Sequence, residues 1–243
     1  MAGHSKWANI KRRKEKSDQK KGKEFSHIAK EIISAVKQGG SDPKSNAKLR
    51  IVIQKAKSAN FPNENIERNI KKAASPDQSD FSEVTYELYG YGGVGIIVEA
   101  LTDNKNRTSS EIRIATNKCG GTIATPGSVS YNFERKGVLE VLKKHALEEE
   151  LFLLASDHGA EDFETLEDRF LITTTAENLG KLKEVIETNQ IICDGATLEM
   201  IPKNLVECSK EDMDANFKLI EWLENLEDVD EVYHNMKMEE MSI

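Results

Sequence analysis

The stretch VTYELYGYGGVGIIVE, residues 84–99, admits two readings that lead to different folds. Gly90, Gly92 and Gly95 form a G-x-G-x-x-G string, the phosphate-cradling turn of dinucleotide-binding domains. That turn must run from a strand into a helix, because the helix N-terminus binds the pyrophosphate. Here the glycines lead into Ile96, Ile97 and Val98, a strand-type apolar run. No acidic residue stands about 20 positions further on at the end of a second strand, where ribose recognition would need it. Upstream, Val84, Tyr86 and Leu88 alternate at the period of a half-buried strand. The glycines therefore read as a hairpin turn between two strands, and the dinucleotide site is excluded.

On the N-terminal side of this hairpin the period is 3.6. Phe25, Ile28, Ile32, Ala35 and Val36 recur at helical spacing, and Gly39 and Gly40 stop the run. Asp42 followed by Pro43 reads as an N-cap with proline at the first helical position. Leu49, Val52, Ile53 and Ala56 make a second apolar face. Pro62 and Asn63 restart the chain for a third, with Ile66, Ile70 and Ala73. These helices form a small domain ending near residue 75, preceded by a basic arm over residues 1–24 that is too poor in apolar residues to fold alone. Residues 75–82 read as a linker.

On the C-terminal side, a helix over 109–118 ends at Gly120 and Gly121, and a strand is predicted over 128–133. Residues 138–201 repeat the order β-α-β-β-α-β: strands at 138–142, 162–165, 170–174 and 197–201, helices at 146–157 and 176–189. A strand at 205–208, a helix at 211–225 and a strand at 229–234 complete the chain. The fold class is α/β of the α+β kind. An N-terminal helical domain (1–75) precedes two ferredoxin-like, split-βαβ domains, the third (134–203) inserted within the second (83–133 plus 204–236).

Charge is distributed unevenly. The formal net charge is −8, yet residues 1–75 hold 19 Lys/Arg against 7 Asp/Glu, and the remainder carries a net −20. Such polarisation points to a polyanionic partner for the first part of the chain. Nine cations fall in the first 24 residues: Lys6, Lys11, Arg12, Arg13, Lys14, Lys16, Lys20, Lys21 and Lys23. Phosphates attract such a patch and release counterions as each charge is placed. Trp7, among these cations, suits stacking on a base or sugar. The helical domain adds Lys44, Lys48, Arg50, Lys55, Lys57, Arg68, Lys71 and Lys72.

Other chemistries find little support. Cys119, Cys193 and Cys208 make no CxxC pair, which fits a reducing compartment, and the five histidines lack ligand spacing, so no metal and no cofactor are expected. His158, among Asp157, Glu161 and Asp162, reads as a solvated surface cluster. No apolar run approaches the ~18 residues of a membrane span, and the start lacks a secretory core. A cytoplasmic location and no membrane partner follow as expectations. Neither a nucleophile elbow nor a P-loop is present, so no enzyme and no small-molecule substrate are expected. An enzyme with a site between the acidic α/β domains is the remote alternative.

The stretch GHSKWANIK at 3–11, residues 43–50 with Ile53, Ala56, Lys57 and Asn60, and residues 62–66 with Arg68 resemble the YebC/PmpR family. The resemblance continues through 86–99, LTDNKNRT at 101–108 and GSVSYNF at 127–133, and beyond that rests on layout. Leu88 and Tyr91 replace the glycine and proline usual in the glycine-rich run, which alters one turn and no basic residue. The resemblance implies a three-domain protein and a non-enzymatic regulator of gene expression. The family label is probable transcriptional regulator, with promoter DNA as partner. The alternative is translational: mitochondrial relatives are translational activators of cytochrome c oxidase, and members act on ribosomes at proline-rich stretches. Either way the expected contacts are His4, Ser5, Lys6, Trp7, the arm cations, Lys44, Lys48, Arg50, Lys55, Lys57 and Arg68. A cationic arm with no evident recognition helix suits backbone contact, which favours ribosomal RNA over base-specific reading of DNA.

Overall fold

The computed structural model describes residues 21–73, 75 and 80–238. Three helices come first: α1 (Lys21–Gly39), α2 (Ala47–Ser58) and α3 (Asn63–Ala73). Then follow β1 (Ser82–Tyr89), β2 (Gly95–Thr102), α4 (Lys105–Cys119), β3 (Thr122–Ile123) and β4 (Phe133–Leu142). Next are α5 (Glu148–Asp157), β5 (Ala160–Thr165), β6 (Arg169–Thr175), α6 (Leu179–Thr188) and β7 (Gly195–Pro202). The chain closes with α7 (Lys210–Asn225) and β8 (Val229–His234). The architecture is α+β: three N-terminal helices and two four-stranded antiparallel sheets with their helices.

In the helical region most of the apolar positions read from the sequence are buried; Phe25, Ile53 and Ile70 are half-buried, and Ile33 and Phe61 join the core beside them. Ile28, Ile32, Ala35 and Val36 of α1 pack on Leu49, Val52 and Ala56 of α2 and on Ile66 and Ala73 of α3. Phe25 meets Phe61 edge to face, with ring centroids 5.1 Å apart. Lys21–Glu24, read from the sequence as the end of the basic arm, already belong to α1. At the other end the helix stops as the sequence predicts. Gly40 takes φ +86°, and its N–H bonds the Val36 carbonyl at 2.8 Å.

The start of α2 differs from the sequence reading. Asp42 instead caps a turn, accepting the Lys44 N–H, and the helix opens four residues later with Asn46 as N-cap. The buried Asn46 amide explains the choice. Its Oδ1 accepts the Leu49 N–H at 2.9 Å, and its Nδ2 donates to the Ala35 and Gly40 carbonyls at 2.7 and 2.8 Å. One side chain thus caps α2 and satisfies the frayed carbonyls of α1, which Asp42 has no donors to do.

The sheet following these helices has the order β3-β1-β2-β8. β1 and β2 pair from Ser82↔Thr102 to Tyr89↔Gly95, so the glycine string is a hairpin turn. Gly90 N–H bonds the Val94 carbonyl at 2.8 Å, and Gly92 takes φ +65°, where a side chain would be strained. The buried Asn216 of α7 holds this turn, accepting from Tyr91 N–H at 2.8 Å and donating to the Tyr91 carbonyl at 3.1 Å. A Cβ at Gly90 would lie 2.2 Å from the same amide oxygen. α4 and α7 complete the core through Ile112, Ala115, Leu219 and Leu223 against Leu88, Ile96, Val98 and Val232. Because this sheet opens with a hairpin, its first two strands are neighbours, unlike the split-βαβ order that the sequence reading gave to both α+β domains.

Two predicted strands are absent as such. Residues 128–132 hold turns and a short 3-10 segment at Ser130–Asn132, and the strand begins only at Phe133. The Glu87 carboxylate accepts the N–H groups of Gly127 and Val129 at 2.7 and 2.6 Å, diverting the donors a ladder would use. Residues 205–208 contribute one bridge, Val206↔Met236.

Residues 130–205 form a separate compact unit. Its elements follow the chain order β4-α5-β5-β6-α6-β7, and its sheet has the order β5-β6-β4-β7. Leu139 and Val141 of β4 and Phe170 and Ile172 of β6 face Leu151 and Ala155 of α5 and Leu182 and Ile186 of α6.

Candidate nucleic-acid interface

The helical region is held to the neighbouring sheet by ions, and this sorts its cations into two groups. On α1, Lys23 donates to the Glu224 carbonyl, His27 Nδ1 meets the Asp230 carboxylate, and Lys30 Nζ reaches Asp228 at 2.9 Å and the Glu227 carbonyl at 3.1 Å. Lys37 lies 3.4 Å from Asp80, Lys48 bonds Glu83 at 2.6 Å, and Lys55 bonds Glu31 at 2.6 Å. Three residues expected to touch nucleic acid, Lys23, Lys48 and Lys55, therefore already have acceptors within the protein.

The second group faces solvent. Arg50 and Lys57 stand seven positions apart on α2, hence nearly eclipsed around its axis and about 10 Å apart along it. Arg50 bonds only backbone carbonyls, those of Pro43 and Lys44. Lys44, Lys57 and Arg68 are exposed, as are Lys71 and Lys72 at the end of α3. None of these six ammonium and guanidinium groups has an acidic partner among the described residues. His4, Ser5, Lys6, Trp7, Lys11, Arg12, Arg13, Lys14, Lys16 and Lys20 lie outside the described residues; Lys21 opens α1.

Behind the first group lies a cluster that the charge reading missed. Asp228, 1% exposed, is the acceptor for Lys30, for Arg107 Nε and Nη2 at 3.1 and 2.6 Å, and for the hydroxyls of Thr102 and Thr108 at 3.1 and 2.9 Å. Thr102, Arg107 and Thr108 all belong to the TDNKNRT segment at 102–108, and its Asn104 caps α4 by accepting the Arg107 N–H. The signal was present in that segment's density of polar residues. Its acceptor, about 120 positions away, was not.

Burial pushes the Asp228 carboxyl upward, but hydrogen bonds from Arg107, Lys30 and Thr108 outweigh it and bring the pKa from 3.8 to about 2. A carboxylate whose folded pKa is depressed stabilises the fold above its unfolded pKa and loses that contribution as pH falls through the folded value. The expected outcome is a stability plateau above about pH 5 and a loss of about 2 kcal/mol between about pH 4 and pH 2. Urea midpoints followed across that range check it, with Asp228→Asn as the parallel that should flatten this component.

Among the described residues no group of His, Cys, Asp and Glu is placed to hold a metal ion. No helix among them is long and apolar enough to cross a membrane. The three cysteines are free, and burial raises the Cys193 thiol.

Two family models account for most of the chain. Residues 5–76 match the TACO1/YebC protein N-terminal domain, and residues 81–236 match the TACO1/YebC second and third domain. The chain belongs to the TACO1/YebC family. A probable transcriptional regulatory protein of Protochlamydia amoebophila (strain UWE25) is 64% identical over 99% of this chain and 98% of its own length. A probable transcriptional regulatory protein of Chlamydia pneumoniae is 60% identical over 97% of this chain and its full length. The crystal structure of a conserved hypothetical protein, Aq1575, from Aquifex aeolicus matches with a TM-score of 0.83 at 42% identity, covering 93% of this chain and 94% of that one. The label carried by the Protochlamydia and Chlamydia relatives is that of a probable transcriptional regulator.

Proposed function

We propose that this TACO1/YebC chain is a non-enzymatic regulator of gene expression that binds nucleic acid through the phosphate backbone, using its basic N-terminal domain. One observation carries the reading. Lys30 and Lys48 are matched by acids of the sheet region and Lys55 by Glu31 of α1, while Lys44, Arg50, Lys57, Arg68, Lys71 and Lys72 remain solvent-facing without an acidic partner among the described residues. The sequence adds Lys6, Lys11, Arg12, Arg13, Lys14, Lys16 and Lys20 in residues 1–24, so the charge surplus of residues 1–75 is positive. The acidic remainder is repelled by nucleic acid and orients the grip.

The relatives' label supports promoter DNA as the target. A cationic region with no evident recognition helix suits backbone contact, which supports a structured backbone such as ribosomal RNA. Sedimentation of a gentle lysate separates the two. Co-migration with ribosomes that disappears when residues 1–24 are removed favours RNA; selective retention of one promoter fragment over random duplex at matched salt favours DNA. In both cases, replacing Lys11, Arg12, Arg13 and Lys14 together by Ala is expected to weaken binding by at least about tenfold, with an unchanged melting temperature because these four positions contain no apolar group. Unchanged affinity, measured by fluorescence anisotropy, would remove the arm from the interface.

A further inference from the structure

Residues 146–168, in the unit of residues 130–205, contain nine Asp/Glu and neither lysine nor arginine. Large apolar side chains are nevertheless left in solvent here. On α5, Phe152 is 48% exposed and Leu153 62% exposed, with Leu147 at the N-cap 75% exposed. Phe152 is the outer end of a ring ladder: it meets Phe163 edge to face at 5.4 Å, and Phe163 meets the buried Phe170 at 5.5 Å. Its ring is thus held in place by the core while half of it stays accessible, as a docking anchor requires.

Within residues 146–168 the acids and bases other than His158 are all negative, while Lys136 lies on Glu161 and Lys143 over the Phe170 ring. Glu148 bonds Thr165 and Glu161 bonds Lys136, but Glu149, Glu150 and Asp157 are exposed with no partner among the described residues. Helical spacing places Glu149 between Phe152 and Leu153, and Asp157 one turn beyond Leu153. The adjacent β5 is an edge strand, but it is bulged between Ala160 and Asp162, and the Phe163 N–H is taken by the Asp162 carboxylate. Such an edge does not accept an added strand. An occupant must bind through side chains, with apolar groups for Phe152 and Leu153 and cations for the carboxylates.

We propose that the outer face of α5 docks an amphipathic helix of a partner protein, rich in Lys or Arg and carrying apolar anchors at i, i+3/i+4 and i+7. This surface is independent of the basic domain, so the chain would link a nucleic acid to a cationic protein. The test uses the full chain and two fluorescein-labelled synthetic peptides of about 18 residues. One has Leu at helical spacing among Lys; the other has the same composition scrambled. The amphipathic peptide is expected to bind at least about tenfold tighter than the scrambled one. Phe152→Ser with Leu153→Ser, and separately Glu149→Lys with Glu150→Lys, should each weaken it by at least about tenfold. The charge variant touches only exposed residues, so it reports even if the apolar pair disturbs folding. Equal binding of both peptides, binding unmoved by either variant, or no binding overturns the proposal. So does self-association abolished by Phe152→Ser, since the face would then serve a second copy.

Discussion

Raising monovalent salt from about 50 mM to about 200 mM is expected to weaken the complex of this protein with duplex DNA by about 500-fold if ~5 phosphates are neutralised. The outward charges Lys44, Arg50, Lys57, Arg68, Lys71 and Lys72, whose acidic partners are lacking among the described residues, and the arm cations more than supply that count. Each phosphate neutralised releases condensed counterions, so log K should fall with log salt at a slope of about −4.5 on duplex and about −3.5 on single strands. Lys48 and Lys55 contribute less than their sequence positions suggest, because a phosphate must first displace Glu83 or Glu31. Replacing Lys57 and Arg68 by Ala should therefore flatten the duplex slope by about 2, and replacing Lys48 and Lys55 by less. A salt profile without slope, measured by anisotropy at constant pH, would exclude phosphate neutralisation as the source of affinity.

Asp228→Ala is expected to destabilise the protein by about 3–5 kcal/mol, the range found when one partner of a buried ion pair is removed. The carboxylate lies under both Lys30 and Arg107, and the Lys30 side chain is itself 11% exposed. Removing the anion leaves that ammonium with the Glu227 carbonyl at 3.1 Å and the exposed Glu227 carboxylate 4.0 Å away. It also takes an acceptor from the hydroxyls of Thr102 and Thr108, which keep only each other and the Asn104 backbone at the start of α4. Because Lys30 sits on α1 and Asp228 just before β8, the helices should also lose an anchor to the sheet. Urea unfolding followed by circular dichroism measures the loss, and proteolysis within residues 21–73 reports the loosened helices. A loss below about 1 kcal/mol would show that water or relaxation replaces the network. Lys30→Met offers the complementary test, since it removes the buried cation and leaves Arg107 on the carboxylate; its cost should be smaller.

Elements whose signal lies in consecutive residues were legible. The hairpin across Gly90–Gly95, the end of α1 at Gly39 and the apolar faces of α1, α2 and α3 each depend on local spacing and backbone freedom. So did the excess of positive charge in residues 1–75. Readings failed where a distant or competing partner took over a local one. Asp42 is as good a cap as Asn46, but only Asn46 can also donate to Ala35 and Gly40. Residues 128–132 have strand-like composition, yet the Glu87 carboxylate claims the backbone donors on either side of Ser128.

Composition and periodicity alone fixed the α+β class, the glycine turn and the charge imbalance, because these are sums or short-range patterns that folding does not rearrange. Only the tertiary structure decided which cations are spent inside the molecule. Lys23, Lys30, Lys48 and Lys55 are ordinary members of a basic run until Glu224, Asp228, Glu83 and Glu31 are brought against them. Electrostatic energy falls off with distance in space, and residues nearly 200 positions apart in the chain are a few ångströms apart in the fold.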